Sequence, residues 1–422
     1  MLSVEEGRAL AEDLDARDAL GPLRDSFLLP RGPDGAPVLY LAGNSLGLQP
    51  RTARERVEEV LADWAGRGVE GHVEGDSPWL PYHRFLTGPT ARLVGAQPDE
   101  VVVMNTLTVN LHLMLVSFYR PTAGRHRILY EGSAFPSDRF AFASQVRFHG
   151  FDPAEALVPL APRSGEDLLR PEDLLDAIAR EGERLALVLI GDVNYLTGQA
   201  FDVAAITRAG HAVGASVGFD LAHGAGNLLF QLHDDGPDFA VWCSYKYLNG
   251  GPGALGGAFV HARHREARGL PRFEGWWGHD EASRFEMGPR FQGMAGADGW
   301  QLSNPPILSM AALRASMDLF DAVGMTALRR KSERLTALLD QLVRGMPGVE
   351  VITPAEPAQR GAQLSLRIHR DPRGLVQRLT AAGVVCDFRA PDIVRAAPAP
   401  FYTRFGDVVR FAEVLGSHVQ GR

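Results

Sequence analysis

An aspartate and a lysine in the middle of the chain have the types and the placement of a cofactor site. Asp220 ends an apolar run that fits a β-strand, and Lys246 follows the next such run and precedes a glycine-rich turn. At neighbouring strand ends, a carboxylate and an amine would surround one ligand. The pair suits pyridoxal phosphate (PLP), because the lysine condenses with its aldehyde while the carboxylate keeps its ring nitrogen protonated. Taken alone, the pair also fits a turn-capping aspartate and a solvated lysine.

The basic residues of the chain are nearly all arginine. Of 43 lysine and arginine residues, only Lys246 and Lys331 are lysine. Arginine neither loses its proton nor condenses usefully with an aldehyde, whereas a desolvated lysine does both. A lysine in this chain therefore indicates a place where a guanidinium is unsuitable. Lys331 falls in an amphipathic helical segment and is predicted to lie on its solvated face, so Lys246 is the predicted cofactor lysine.

Two further segments directly follow predicted strands. The segment Asn105–Asn110 opens a helix, and its first-turn amides with the hydroxyl of Thr108 would bind a phosphate. A plain N-cap is the alternative there. In the second segment, the ring of Phe135 could stack on a pyridine and Asp138 could approach its nitrogen. The alternative is a proline-started helix with the acid in its first turn.

The elements that must position these residues follow a βαβ pattern. Short apolar runs alternate with amphipathic stretches between residues 98 and 260, which is typical of a mostly parallel sheet. Strands are predicted over Val101–Met104, Arg127–Tyr130, Leu185–Ile190, Ser216–Phe219, Phe239–Cys243 and Gly257–Val260. Helices are predicted over Thr108–Tyr119, Ser137–Phe148, Pro171–Glu181 and Val203–Val213.

A second region follows the aromatic and glycine-rich stretch Gly275–Trp300. Two helices begin after a Pro-Pro turn, and the remaining pattern predicts a smaller α+β domain. Its elements are strands over Val349–Ile352, Gln363–Ile368 and Gly383–Asp387 and a helix over Pro372–Ala382. We predict an N-terminal segment (1–46) that packs with the small domain, a large cofactor-binding domain (47–302) and a small C-terminal domain (303–422).

Composition and charge limit the classes of function. The 422 residues are 45% hydrophobic and 22% charged, which is ordinary for a globular chain of two or three domains. A net charge of −8 without a basic block gives no electrostatic reason to bind nucleic acid or an anionic membrane. Cys243 and Cys386 are too few for a disulfide framework or a structural zinc site, and no metal site is predicted. The N-terminus has no signal-peptide pattern, so we predict a cytoplasmic protein.

Eight ordered segments spread over most of the chain carry a family pattern. They are Gly43-Asn-Ser-Leu-Gly47, Leu107–His112, Phe135-Pro-Ser-Asp138, Tyr195-Leu-Thr-Gly-Gln199, Gly218-Phe-Asp-Leu-Ala-His223, Cys243–Asn249, Gly275-Trp-Trp-Gly-His279 and Ser303–Ile307. Together they resemble kynureninases, which are PLP enzymes of fold type I, the aspartate-aminotransferase fold. The resemblance implies an α/β fold with a mostly parallel seven-stranded sheet in the large domain and a smaller C-terminal α+β domain.

The resemblance also implies an activity and a cofactor site. The activity is hydrolysis of the Cβ–Cγ bond of L-kynurenine or 3-hydroxy-L-kynurenine, which yields an anthranilate and L-alanine, in a homodimer with the site at the subunit interface. Lys246 would hold PLP and Tyr245 would serve as an acid that protonates Cβ, provided that cationic neighbours lower its pKa. The implied cofactor-binding residues are Leu107, Thr108, Phe135, Asp138, Asp220, His223, Tyr245, Lys246, Trp276 and Asn304, with Trp276 and Asn304 expected to serve the other subunit.

Substrate contacts implied by the resemblance come from three separate segments. Arg395 would bind the substrate carboxylate, because a guanidinium forms the bidentate hydrogen bonds that a lysine cannot. His72 and Ser45 match positions near the aromatic end of the substrate, and Phe285 is a weaker candidate. Near Val193 the family usually offers a small hydroxyl, whereas this chain has Gly191 and Asp192. Neither of these two is assigned a role.

Other functions remain compatible with the residues. A cysteine desulfurase or selenocysteine lyase of the same fold type would need a loop thiol, but Cys243 and Cys386 both fall in apolar, strand-like runs. A class V aminotransferase would require a 2-oxo acid for turnover. A non-enzymatic binding protein is disfavoured by the intact set of Lys246, Asp220 and Arg395.

Overall fold

A computed structural model of the chain describes residues 2–266 and 269–419. Its strands, in chain order, are β1 (Phe27–Leu28), β2 (Leu39–Tyr40), β3 (Gln49–Pro50), β4 (Val101–Met104), β5 (Arg127–Glu131), β6 (Leu157–Leu160), β7 (Leu185–Gly191), β8 (Ser216–Asp220), β9 (Phe239–Cys243), β10 (Gly256–Val260), β11 (Val349–Val351), β12 (Leu364–Ile368), β13 (Val384–Val385), β14 (Asp387–Arg389) and β15 (Ile393–Ala396).

The α-helices cover both faces of the main sheet and build most of the C-terminal part. They are α1 (Val4–Ala16), α2 (Ala53–Arg67), α3 (Arg84–Val94), α4 (Leu107–Phe118), α5 (Pro136–Phe148), α6 (Pro153–Ala156), α7 (Pro171–Glu181), α8 (Val203–Ala212), α9 (Leu232–Asp235), α10 (Ile307–Val323), α11 (Met325–Val343), α12 (Pro372–Ala381) and α13 (Phe405–Val419). Within the described ranges, no helix has the length and apolar character needed to cross a membrane.

The central element is a seven-stranded sheet in the order β4-β10-β9-β8-β7-β5-β6. All its strands are parallel except β10, which pairs antiparallel with β4 and β9. Its inner strands are continuous apolar runs buried on both faces, as expected for a parallel sheet between helices. The carboxyl ends of β4, β5, β7, β8 and β9 therefore lie along one side of the sheet, which we call its carboxyl edge, and the opposite side is its amino edge. Helices α4 and α5 begin at the carboxyl edge.

All six strands predicted for this sheet are present, and their ends differ from the prediction by at most one residue. The seventh strand, β6, was not predicted. It lies at the edge of the sheet, is only partly buried and contains Pro159, so it lacks the buried apolar pattern of the inner strands.

The C-terminal part contains a four-stranded antiparallel sheet in the order β11-β12-β15-β14. The prediction of a single strand over Gly383–Asp387 is wrong, because Cys386 interrupts the strand and divides it into two short strands. The first piece, β13, pairs in parallel with β2, while the second, β14, joins the four-stranded sheet.

The N-terminal helix α1 packs against α13 of the C-terminal part. The carboxylate of Asp15 accepts hydrogen bonds from the backbone N–H groups of Phe405 (2.8 Å) and Gly406 (2.9 Å), which are first-turn donors of α13 without an intrahelical partner. Hydrogen bonds as well as helix packing therefore join α1 to α13.

The prediction of a solvated Lys331 is wrong. Lys331 is buried on α11, and its amine lies 2.8 Å from a carboxylate oxygen of Asp18, which is itself buried. Burial lowers the pKa of Lys331, and Asp18 opposes that shift. The helical pattern of α11 marks its polar positions, but it carries no information about the N-terminal segment that covers them.

Candidate active site

A cavity of about 330 Å³ lies at the carboxyl edge of the seven-stranded sheet, between that edge and the strands β14 and β15. Such a position, outside the strand ends of an open α/β sheet, is the usual ligand site of this architecture. Ten of the thirteen predicted site residues line the cavity: Ser45, Leu107, Thr108, Phe135, Asp138, Asp220, His223, Tyr245, Lys246 and Arg395.

Asp220 and Lys246 meet in this cavity, as the sequence predicts. Asp220 is the last residue of β8, and its Oδ1 accepts a hydrogen bond of 2.7 Å from the N–H of Ala222. Lys246 follows the end of β9, and its amine lies 6.0 Å from the ring centre of Tyr245. Burial raises the pKa of Asp220, and the positive charge of Lys246 opposes that shift. The carboxylate and the amine therefore line one polar cavity.

Asp138 brings a second carboxyl group to the same end of the cavity. It lies in the first turn of α5, is buried, and its Oδ1 has no hydrogen-bond partner among the described residues. Burial and then the charge of Asp220 raise the pKa of Asp138. A cationic ring nitrogen between the two carboxyl groups would satisfy the unpaired oxygen and relieve their repulsion.

The N-terminus of α4 offers an anion site beside these acids. Its N-cap residue, Thr106, makes no side-chain capping bond, so the first-turn N–H groups remain available. The hydroxyl groups of Thr108 and Ser137 lie 2.8 Å apart at the same place, and Tyr245 completes the lining. This arrangement fits the phosphate of PLP.

Two ring side chains flank the space between the amine and the acids. Phe135 is half exposed and lines the cavity, with its ring centre 5.3 Å from that of Tyr195. His223 is buried and its Nδ1 has no partner within the described ranges. Burial first, and then the charge of Lys246, lower the pKa of His223 well below its usual value, so its imidazole is neutral. An aromatic face, an amine, paired acids and an anion cradle together fit PLP.

The prediction that cationic neighbours lower the pKa of Tyr245 is wrong in this structure. Burial raises the pKa of Tyr245, and the neighbouring Cys243 adds to the shift. The amine of Lys246 does not reverse this effect. The Tyr245 hydroxyl therefore keeps its proton at neutral pH.

Arg395 stands at the other end of the cavity, on β15, and is 1% exposed. Its Nη1 donates a hydrogen bond of 2.6 Å to the carbonyl of Tyr195, and its Nη2 donates to the hydroxyl of Ser45 at 3.2 Å. Nη2 also donates to Asp387, while its Nε has no partner among the described residues. Arg389, from the neighbouring strand, lines the same end.

Three predicted residues do not reach this cavity in the single chain. His72 and Asn304 line a separate aromatic cavity of about 290 Å³. Trp276 lies apart from both, where its Nε1 donates to the carbonyl of Arg284 (3.1 Å) and its ring packs edge-on against Phe285. Phe285 is 59% exposed and is not a core residue.

Sequence reasoning missed Glu131, a buried acid that lines the cavity at the end of β5. Its Oε1 accepts a hydrogen bond of 3.1 Å from Nδ2 of Asn194, whose Oδ1 is fixed by the N–H groups of Leu196 and Thr197. Burial raises the pKa of Glu131 to about 7, and Asp220 contributes to the shift. Its position at a strand end was a usable signal, because Asp220 was found in that way.

Gly191 and Asp192, the two residues without an assigned role, point to opposite sides of the chain at the end of β7. Gly191 lines the cavity, and a Cβ atom there would have its nearest neighbour, Oε1 of Glu131, at 3.6 Å. Asp192 is fully buried on the other side, against Gly224, and neither of its carboxylate oxygens has a side-chain or backbone partner in the described ranges. Only Gly191 therefore faces the ligand space, and it leaves room where a hydroxyl side chain would fit.

The opposite edge of the sheet holds a second group of acids and histidines. Glu100, His233 and His261 lie close enough to share a metal ion. However, Nδ1 of His233 bonds to Glu100 (2.9 Å), and Nδ1 of His261 accepts from the N–H of Arg263 (3.0 Å). The two imidazole rings are stacked, with an angle of 13° between their planes, so their lone pairs do not converge on one point. This group is a hydrogen-bonded structural cluster.

Comparison with known proteins agrees with this geometry. Residues 328–415 match the family described as the kynureninase C-terminal domain. A kynureninase of Myxococcus xanthus is 63% identical over 99% of this chain and 98% of its own length, and one of Koribacter versatilis is 58% identical over 96% of each.

Solved structures share the fold at low sequence identity. A mutant of C-DES with glycine covalently linked to the PLP cofactor has a TM-score of 0.77 at 16% identity, covering 93% of this chain and 98% of its own. A cysteine desulfurase of Thermococcus onnurineus has a TM-score of 0.76 at 16% identity, covering 97% and 98%. The predicted PLP fold type I is confirmed. With relatives this similar over nearly its whole length, the chain belongs to the kynureninase family.

Proposed function

We propose that the chain is a PLP-dependent hydrolase that cleaves the Cβ–Cγ bond of L-kynurenine or 3-hydroxy-L-kynurenine to an anthranilate and L-alanine. The observation that carries this proposal is the placement of Lys246, Asp220 and Asp138 in one cavity that also contains a buried, incompletely paired Arg395. The kynureninase relatives support the same activity.

The residues of the cavity fit PLP part by part. Lys246 would hold the aldehyde carbon, Asp220 and Asp138 the ring nitrogen, Phe135 the ring face, and the N-terminus of α4 the phosphate. His223 would lie beside the ring as a neutral imidazole. When bound, PLP supplies an electron sink that makes the Cα proton acidic and allows the Cβ–Cγ bond to break.

The chain's own groups then bind the substrate and move its protons. Arg395 binds the α-carboxylate, and its unpartnered Nε is a donor available for that contact. The amine of Lys246 would also be the base that accepts the Cα proton of the substrate. Tyr245 lines the cavity beside Lys246 and is the proposed proton donor to Cβ, and its raised pKa makes it a weaker acid than a free tyrosine.

A homodimer would complete the site. His72 and Asn304 line one surface cavity and Trp276 another, and none of the three lines the cavity of Lys246 in its own chain. We propose that these residues face the cavity of a second copy, with Trp276 and Asn304 at the phosphate and His72 at the aryl end of the substrate. Ser45 would act from within the same chain, because it already contacts Arg395.

The domain division and the compartment are proposals from the sequence. We propose the division 1–46, 47–302 and 303–422, which the packing of α1 on α13 supports for the first segment. We also propose a cytoplasmic protein, since two unpaired cysteines fit a reducing compartment.

A desulfurase or selenocysteine lyase is not favoured, although solved structures of desulfurases share the fold. Burial raises the pKa of both Cys243 and Cys386, for Cys386 to about 12, so neither is a reactive thiolate at neutral pH. An aminotransferase would need a 2-oxo acid as a second substrate, and turnover without one would exclude that activity.

The decisive experiment is incubation of the PLP-loaded protein with L-kynurenine and measurement of anthranilate fluorescence. We expect anthranilate and L-alanine in equal amounts without any 2-oxo acid, and absence of both products would refute the proposal. A parallel reaction with 3-hydroxy-L-kynurenine determines which aryl ring is preferred.

A second experiment locates the cofactor. Borohydride reduction followed by peptide mapping should place the pyridoxyl group on the Lys246 peptide and leave the Lys331 peptide, the internal control, unmodified. A pyridoxyl group on Lys331 would contradict the assignment.

A third experiment tests Tyr245 as the proton donor to Cβ. The variant Tyr245→Phe should bind PLP normally but slow cleavage, and unchanged turnover would remove Tyr245 from the mechanism.

A further inference from the structure

Asp387 lies behind the Arg395 end of the cavity, does not line it, and has no part in the proposed function. In the antiparallel pair β14–β15, Asp387 lies directly opposite Arg395. Residues directly opposite each other on one face of such a pair have neighbouring side chains. Arg389 is two residues further along β14, so it emerges on the same face of the sheet. The backbone register therefore places one carboxylate between two guanidinium groups.

The side-chain contacts follow this register. Oδ2 of Asp387 accepts from Nη2 of Arg395 and from the hydroxyl of Ser45, and its Oδ1 accepts from Nη1 of Arg389 at 2.8 Å. Each carboxylate oxygen thus holds a different arginine. The Asp387 side chain is 11% exposed and that of Arg395 is 1% exposed, whereas Arg389 is 38% exposed and reaches the cavity.

The charges of this group add to a definite excess. Two guanidinium groups and one carboxylate leave one net positive charge at the end of the cavity where Arg395 stands. A single substrate carboxylate neutralises that excess, while a second carboxylate nearby would remain unpaired in a partly dehydrated site. The group is therefore suited to a ligand with one carboxylate.

We propose that Asp387 is a specificity-determining residue, which positions Arg395 and Arg389 and restricts the site to amino acids with a single carboxylate. The inference rests on the proposed function because it takes Arg395 to bind the α-carboxylate. It adds that the acid opposite Arg395, together with the second guanidinium of Arg389, sets the charge that the site tolerates. Asp387 acts through the two arginines and is a positioning residue.

The test compares binding of L-alanine and L-aspartate, which differ by one carboxylate, to the PLP-loaded enzyme. The initial change in cofactor absorbance gives both dissociation constants without any need for kynurenine cleavage. We expect the wild type to prefer alanine and Asp387→Asn to shift the ratio toward aspartate on the order of tenfold, because the variant gains one net positive charge at this end. Arg389→Gln removes one positive charge and should shift the ratio the opposite way.

A matched control comes from the same four-stranded sheet. Glu350 lies opposite Arg367 in the pair β11–β12, and its Oε2 accepts from Nη1 at 2.9 Å, but the pair is outside the cavity. Glu350→Gln should leave the aspartate-to-alanine ratio unchanged. An equal shift in this control, an unshifted ratio in Asp387→Asn, or shifts of the same sign in Asp387→Asn and Arg389→Gln would overturn the proposal.

Two measurements keep a folding defect apart from the predicted effect. PLP content and the thermal unfolding midpoint show whether each variant is folded and loaded, and a general loss of structure would weaken both amino acids without opposite shifts. The kynurenine assay on the same preparations tests the proposed function by itself. If kynurenine is not cleaved but the ratio shifts as expected, the proposed function fails while the carboxylate selectivity stands.

Discussion

The two edges of the seven-stranded sheet hold buried carboxyl groups in opposite ways. At the amino edge, Asp238 accepts hydrogen bonds from His211 (2.9 Å), His264 (2.8 Å) and the N–H of Val217 (2.7 Å). Burial alone would raise its pKa, but these hydrogen bonds hold the pKa of Asp238 well below its usual range. At the carboxyl edge, oxygens of Asp138 and Asp192 have no partner in the described ranges, and burial raises the pKa of both residues.

The difference shows where the fold is stabilised and where it is prepared for a ligand. Paired acids at the amino edge contribute stability, because each charged oxygen is satisfied by the chain itself. The unpaired oxygen of Asp138 at the carboxyl edge costs stability in the protein without cofactor, and a cationic ring nitrogen would recover that cost, whereas Asp192 lies outside the ligand space. The same strands therefore carry a structural end and a functional end.

The largest effect is expected at the functional end. Lys246→Ala should lower turnover of L-kynurenine on the order of 10³-fold or more, because it removes both the cofactor amine and the base. Unfolding of the cofactor-free protein should change little. Stopped-flow or long-incubation assays of anthranilate measure the first quantity and chemical denaturation the second. Near-normal turnover in this variant would contradict the conclusion that the carboxyl edge is the functional end of the sheet.

At the structural end, the effect should fall on stability instead. Asp238→Asn should lower the free energy of unfolding by roughly 2–3 kcal/mol near pH 7, because it leaves the buried N–H of Val217 and the partly exposed His211 and His264 without their anionic acceptor. Since the folded-state pKa of Asp238 is depressed, its contribution is present above about pH 4 and is lost as the pH falls below that. Urea unfolding at pH 7 and at about pH 2 measures this, and activity per folded, PLP-loaded molecule at neutral pH should stay near that of the wild type.

Glu131 gives the opposite pH dependence. Its folded-state pKa of about 7 is raised above the unfolded value, so its contribution is full at low pH and is lost as the pH rises through 7. Between pH 5 and pH 8, the cofactor-free wild type should lose roughly 2–3 kcal/mol more stability than Glu131→Gln, which cannot ionise. Denaturation curves of both proteins at the two pH values give the difference. If the free energies of unfolding of both proteins change in parallel with pH, Glu131 is not an acid with a raised pKa.

The smallest effect is expected at Gly191. Its backbone φ is not positive and a Cβ atom would have no neighbour nearer than 3.6 Å, so Gly191→Ser should change stability by less than about 1 kcal/mol. Gly224→Ala is the contrasting variant, because its Cβ atom would overlap the carboxylate of Asp192. It should destabilise the protein severely. Equal thermal midpoints for the two variants would contradict the conclusion that Gly191 faces open space in the cavity while Asp192 packs tightly against Gly224.

Much of the functional edge was predictable because strand ends and residue scarcity are visible in a sequence. Asp220 follows a buried apolar run, and Lys246 is one of two lysines in the chain. Glu131 also stands at a strand end, but its hydrogen bond to Asn194, 63 residues away, is not visible in the sequence because it depends on the parallel pairing of β5 with β7. The contact of Asp387 with Arg395 depends in the same way on strand register, which a single sequence does not reveal.

Elements at the margins of the fold were harder to predict for a related reason. The edge strand β6 lacks a buried pattern, and the break at Cys386 arises because two different sheets take the two halves of one apolar run. Lys331 looked solvated because the charge that pairs with it, Asp18, belongs to a distant segment. Local pattern indicates which element forms, whereas tertiary contacts decide what covers it.

The scarcity of lysine has a consequence for how the protein meets reactive carbonyl compounds. Lys331 is 5% exposed and engaged with Asp18, and Lys246 lies in the cavity. The outer surface therefore presents arginines but no lysine ammonium group that an aldehyde, a reducing sugar or an acylating agent could attack. Free PLP added in excess would meet Lys246 as the accessible lysine amine, so Schiff bases on a second lysine side chain are not expected.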